Sequence, residues 1–128
     1  MLTVKKYEVD DLESVVAFIR KVQKNAKPCE KILSRSVLIK DDAHIVGMVA
    51  YESHDYMGVI RYFLYDANIK RVDIIIDLFC ALYKNASEDK IKQLIAKAPT
   101  MEVSKLFEIL GFNMVQNEKN EIIMKINL

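Results

Sequence analysis

Hydrophobic and polar positions follow a helical rhythm most clearly from Asn68 to Asn85, NIKRVDIIIDLFCALYKN. Val72, Ile75, Ile76, Phe79, Cys80 and Tyr83 recur at helical spacing and make one apolar stripe. Ile74, Leu78, Ala81 and Leu82 make a second, which leaves Asp73, Asp77 and Lys84 for water. A helix apolar on most sides is expected to be covered on most sides. Just before it, Val59 to Tyr65 (VIRYFLY) has the β-branched and aromatic bias of a strand, and a short loop, Asp66 to Lys70, joins the two. The first turn of such a helix carries N–H groups without intrahelical partners, a natural place for an anion.

The remaining pattern predicts elements on either side of this pair. Weak alternation over Leu2 to Tyr7 predicts a first strand. Asp10 and Glu13 have the spacing of an acidic capping box, and Leu12, Val15, Val16, Ile19 and Val22 run down one helix face to about Lys24. The stretch Asn25 to Glu30, with Pro28, breaks that helix, and a short helical turn follows over Glu30 to Arg35. Ser36 to Lys40 and Ile45 to Ser53 read as strands joined by the polar tip Asp41 to His44. A second tight connection, Asp55 to Gly58, leads back into the strand at Val59. After the central helix, Ser87 to Lys90 is a surface connection. Ile91 to Ala98 is short and stopped by Pro99, which predicts a strand. Thr100 is placed to cap a helix whose stripe is Val103, Leu106, Phe107 and Leu110, and Gly111 stands where a left-handed C-cap is expected. The tail predicts a hairpin: Phe112 to Gln116, a turn at Asn117 to Asn120, then Ile122, Met124, Ile126 and Leu128 on one face. The order β-α-(α)-β-β-β-α-β-α-β-β predicts an α+β domain with a mixed, mostly antiparallel sheet and helices on both faces.

Composition narrows the class. At 128 residues the chain is expected to form one domain, 1–128, with a core that needs no staples. Nineteen Lys and Arg against 18 Asp and Glu leave a net charge of +1, which argues against a nucleic-acid partner held by a basic field. Cys29 and Cys80 have no pairing motif and are read as reduced thiols, with Cys80 on the buried helix face. The start, MLTVKKYEVDDLE, has no apolar run of signal-peptide length, and no stretch is long and uncharged enough for a bilayer. The expected address is the cytoplasm, with no membrane partner. His44 and His54 read as solvated turn residues, and four metal ligands at a suitable spacing are absent from the sequence, so no metal is expected.

The element order, together with Lys105-Leu-Phe-Glu-Ile-Leu-Gly-Phe112 after a proline-broken strand, resembles the GNAT-type N-acetyltransferase superfamily, over nearly the whole chain. The resemblance implies the acyl-CoA N-acyltransferase fold and acetyl-CoA as the donor. In that family the strand before the central helix splays from its neighbour and offers backbone to the pantetheine arm, which implies the backbone of Phe63, Leu64 and Tyr65 here. The family's next motif, Arg/Gln-x-x-Gly-x-Gly/Ala, cradles the diphosphate with N–H groups at the helix start. It falls on Lys70-Arg71-Val72-Asp73-Ile74-Ile75. Lys70 replaces the Arg/Gln, Arg71 adds a second cation, and both small residues are gone: Asp73 brings a carboxylate and Ile75 a branched side chain. No glycine occurs between Gly58 and Gly111, so no change of register restores the motif.

The tyrosine that often protonates the leaving thiolate in that family corresponds to Phe107, and the carboxylate that often serves as base corresponds to Val59. Glu52 and Tyr62 are the remaining ionisable candidates for catalysis. Two readings stay open. One is an N-acetyltransferase with a divergent cofactor site, acting on a small-molecule or protein amine. The other is a catalytically inactive binding or dimerisation module, possible as a homodimer, with its groove filled by Asp73, Ile75 and Phe107.

Overall fold

The computed structural model describes residues 1–118 and 121–128. Its strands are β1 (Leu2–Lys6), β2 (Ser36–Asp41), β3 (His44–His54), β4 (Met57–Tyr65), β5 (Gln93–Ala98), β6 (Asn113–Glu118) and β7 (Glu121–Asn127). Its helices are α1 (Leu12–Val22), α2 (Glu30–Leu33), α3 (Val72–Glu88) and α4 (Met101–Ile109), with a 3-10 turn at Val9–Asp11. All seven strands join one sheet in the order β1-β2-β3-β4-β5-β7-β6. Every neighbouring pair is antiparallel except β4 and β5, which α3 connects in parallel. This is the α+β architecture that the chain's rhythm predicts.

The sheet separates two cores. On one face Val15, Phe18 and Ile19 of α1 and Leu33 of α2 pack on Leu38, Met48 and Ala50. On the other, Ile74, Ile75, Leu78, Phe79 and Leu82 of α3 join Phe107 and Leu110 of α4 against Val37, Val49, Tyr51, Leu94 and Met124. The expected helix termini hold at α4, where Thr100 Oγ1 accepts from Val103 N–H at 3.2 Å. Gly111 follows with φ +99°, the left-handed turn that a side chain would strain.

Several expectations need correction. The central helix begins at Val72, just past the loop expected over Asp66 to Lys70, which Asp66 organises: its carboxylate accepts from Asn68 N–H at 2.9 Å and its carbonyl from Ile69 N–H at 2.9 Å. The helix is covered on one side only. Val72 is 49% exposed, Ile76 38%, and Cys80 is exposed rather than buried. Val22 also faces solvent. The acidic cap at α1 is not Asp10 with Glu13: Glu8 N–H donates to Asp11 at 2.9 Å and Asp11 N–H to the Glu8 carbonyl at 2.8 Å. The predicted turn at Asn117 to Asn120 has its first two residues inside β6, and its last two lie outside the described residues.

Asp11 is buried and also takes Lys5 Nζ at 2.8 Å and Lys40 Nζ at 3.3 Å, which ties α1 to β1 and β2. Burial pushes its carboxyl pKa up, but Lys5, the Glu8 N–H and Lys40 outweigh burial and hold it below its ordinary 3.8. A depressed carboxylate contributes stability that is present above its unfolded pKa and is lost as pH falls through the folded value. Asp11→Asn is expected to cost about 2 kcal/mol at neutral pH. In urea denaturation the gap from wild type should close as pH drops below about 4, whereas a pH-independent gap would assign the loss to packing.

Candidate functional site

The site is a fork in the sheet. β4 and β5 pair only through Met57 with Gln93, Gly58 with Leu94 and Val59 with Ile95. Beyond Val59 the strands part, so the edge of β4 that faces β5 keeps backbone groups outside the β4–β5 ladder. A β-bulge accompanies the divergence: Ala50 pairs with Tyr62 but Tyr51 with Ile60, which leaves Arg61 as the extra residue. A bulge bends a strand and tightens its twist, and here it sits where β4 leaves β5. It also shifts the alternation, so that Ile60 and Phe63 both pack towards α3 and α4, while Tyr62 and Leu64 pack towards α1 and α2.

Gly58 makes the root of the fork narrow. A Cβ there would lie 2.6 Å from Leu94 Cδ2 and 2.8 Å from Tyr51 Cδ2. Tyr51 is fully buried and its hydroxyl donates to Asp89 at 2.8 Å, so its ring has little room to yield.

The open end of the fork holds a cavity of about 420 Å³. Val59, Ile60, Phe63 and Tyr65 of β4 form one wall, Ile95 and Ala96 of β5 the other, and Val103, Leu106 and Phe107 of α4 the floor. Phe63 anchors the wall: its ring lies 4.9 Å from Phe79, 5.7 Å from Phe107 and 5.4 Å from Tyr65, centroid to centroid. Such tilted and edge-on contacts fix aromatic rings more firmly than area burial alone. Among the described residues lining the cleft, only Arg61, Tyr65 and Lys97 have polar side-chain ends.

Glu52 sits across the ladder from Val59, so it occupies the same sheet face as the position the resemblance assigns to a base. Its Oε1 lies 2.7 Å from His54 Nε2 and its Oε2 3.3 Å from Arg61 Nε. Arg61 thus touches both the cleft and the opposite face, where Glu52, His54, Cys29 and Arg35 line a second cavity of about 430 Å³. The hydrogen bond and charge of Arg61 hold Glu52 below the usual carboxylate range, so it is ionised at neutral pH. Tyr62 shares this face but stays half-buried against the α1–α2 core. The sequence alone reads His54 as a turn residue. The signal that could have found it is arithmetic, since His54 is two residues along an alternating strand from Glu52 and therefore on its face.

At the start of α3 the expected residues separate. Lys70, Arg71, Val72 and Asp73 are exposed, whereas Ile75 is 4% exposed and belongs to the core. Arg71 clamps Asp73 with both ends of its guanidinium, Nη2 to Oδ2 at 2.7 Å and Nε to Oδ1 at 3.2 Å. Arg71, then the backbone N–H groups of Asp73 and Ile74, keep the Asp73 carboxyl below its ordinary pKa. The carboxylate thus stands in the first turn of the helix, paired with Arg71. Among the described residues, no group of three or more His, Cys, Asp or Glu is arranged to hold a metal, and no helix is long and apolar enough to cross a membrane.

The sequence matches no protein-family model and no curated protein. The architecture does match solved structures. N-acetylglutamate synthase from Neisseria gonorrhoeae, complexed with coenzyme A and N-acetyl-glutamate, superposes with a TM-score of 0.78 at 15% identity over 100% of this chain. The chain has the GNAT fold. It spans only 35% of that synthase's length, but 99% of the PaiA N-acetyltransferase from Thermoplasma acidophilum in complex with coenzyme A, at a TM-score of 0.74 and 11% identity over 100% of this chain. The ribosomal-protein-S18-alanine N-acetyltransferase from Escherichia coli matches 99% of this chain and 94% of its own, at a TM-score of 0.72 and 15% identity. At these identities the likeness is one of fold.

If Gly58 sets the GNAT fork, Gly58→Ala should lose about 1–3 kcal/mol in chemical denaturation, the range for forcing atoms into a packed site. An unchanged midpoint would show that Leu94 and Tyr51 can make room.

Proposed function

We propose that this GNAT-fold domain is an N-acetyltransferase that takes the acetyl group of acetyl-CoA and delivers it to a small-molecule or protein amine. The open cleft at the β4–β5 fork carries this reading. Its apolar lining and the free backbone edge of Phe63, Leu64 and Tyr65 suit an amide-bearing pantetheine arm, which needs both apolar contact and hydrogen-bond partners. Acetyl-CoA, when bound, supplies a thioester carbonyl that an amine can attack.

The chain's own residues then have defined tasks. The cleft orients the donor and excludes water, and holding two reactants together lowers the barrier substantially without further catalysis. The acceptor enters from the α1–α2 face, where Glu52 and His54 stand. With Nε2 turned to Glu52 at 2.7 Å, the His54 ring leaves Nδ1 as the nitrogen that would receive a proton from an ammonium group. Glu52 orients that ring, and Tyr62 is the other ionisable group on this face. Phe107 has no proton to give a departing thiolate, whereas Tyr65 presents a phenol within the cleft lining.

The Arg71–Asp73 clamp favours a second reading, a domain that no longer catalyses and serves as a binding or dimerisation module. The readings part on two measurements. Under the first, acetyl-CoA at a hundredfold excess over its Kd adds about 2.7 kcal/mol of stability, read as a rise in Tm. No shift at millimolar acetyl-CoA, with a defined dimer in light scattering, would support the second. In a panel of amines followed by thiol release, His54→Ala should lower kcat/KM about a hundredfold, the lower end of the range for losing a positioned base. An unaltered kcat/KM would remove His54 from the mechanism.

A further inference from the structure

We infer that the cleft binds its donor by the pantetheine arm alone, so that the nucleotide part of the coenzyme is dispensable and the donor class is acyl-pantetheine thioesters in general. The inference rests on the proposed function and adds to it which part of the donor is read. Two parts of the site lead to it, and they disagree about the coenzyme.

The fork fits the arm. Its walls are apolar, Phe63 is held by three ring contacts, and β4 offers a backbone edge beyond Val59. The start of α3 does not fit a diphosphate. Asp73 stands at the second helical position with Arg71 forked onto it at 2.7 and 3.2 Å. A bidentate guanidinium–carboxylate pair uses the donors that Arg71 would otherwise turn to phosphate. The same carboxylate stands in the first turn of α3, where a phosphate would have to approach the helix N–H groups, and like charges there repel. Of the two cations at 70 and 71, Lys70 alone lies outside that clamp. An exposed pair of this kind contributes little to folding, so its consequence here is local: it engages Arg71 and leaves a negative charge in the first helical turn. Pantetheine is uncharged and loses nothing by this.

Isothermal titration of acetyl-CoA and S-acetylpantetheine, into wild type and Asp73→Asn, tests the inference. Asp73 is exposed, so the variant keeps the core intact. Wild type should bind the two donors within about threefold of each other, and Asp73→Asn should tighten acetyl-CoA about tenfold while leaving S-acetylpantetheine unchanged, as relief of like-charge contact requires. A larger preference of wild type for acetyl-CoA would overturn the inference and leave the proposed function standing. The inference also fails, with the proposed function intact, if Asp73→Asn alters both donors alike or neither. Failure of both donors to bind at millimolar concentration would remove the proposed function together with the inference.

Discussion

The parting of β4 from β5 after three residue pairs is the constraint on which the site depends. A parallel pair deep in a sheet normally continues, because each broken backbone hydrogen bond must find another partner. Here Gly58 draws the strands close at the root, and the bulge at Arg61 turns β4 aside immediately afterwards. The aromatic group of Phe63, Phe79, Phe107 and Phe112 then holds the gap's apolar side rigid, with ring centroids between 4.9 and 6.3 Å apart. Tyr83 adds a hydrogen bond to the Leu110 carbonyl, which fastens α3 to the end of α4. Burial raises the pKa of that phenol, so it stays a donor.

The bulge has a second consequence that links structure to chemistry. By inserting one residue it lets a single strand serve two faces: Ile60 and Phe63 meet the α3–α4 core, while Arg61 reaches Glu52 and, through it, His54. A thioester in the cleft and an amine from the α1–α2 side would meet at this residue. The opposite end of β4 behaves differently. Arg71 and Asp73 satisfy each other, so a cation that could attract anions to the helix start is engaged by the chain's own carboxylate. The two ends of one strand–loop–helix unit therefore pull in different directions on a coenzyme.

Much of the fold is legible in the sequence, because the rhythms of apolar residues and the turn residues agree with one another. Strands, helices, the Thr100 cap and the Gly111 turn all follow from local chemistry. What periodicity cannot show is which apolar residues remain outside. Val72, Ile76 and Cys80 share the helical spacing of buried residues yet line an uncovered side of α3, since coverage depends on neighbours far along the chain. The Ile75 side chain illustrates the reverse: alignment with a motif places it at the cofactor, but helical phase turns it into the core. The loop that Asp66 organises leads into a helix starting at Val72, and that phase turns Ile74 and Ile75 inward. The Glu52–His54–Arg61 cluster required the hairpin register, which a bulge had displaced by one residue.

The central claim is that the fork, and not the helix start, is where a donor is held. Amide resonances followed during titration with pantetheine test it most directly. The account predicts shifts and slowed exchange at the N–H groups of Phe63, Leu64 and Tyr65, with those of Asp73 and Ile74 unmoved. Shifts confined to residues 72–74, with β4 silent, would contradict it.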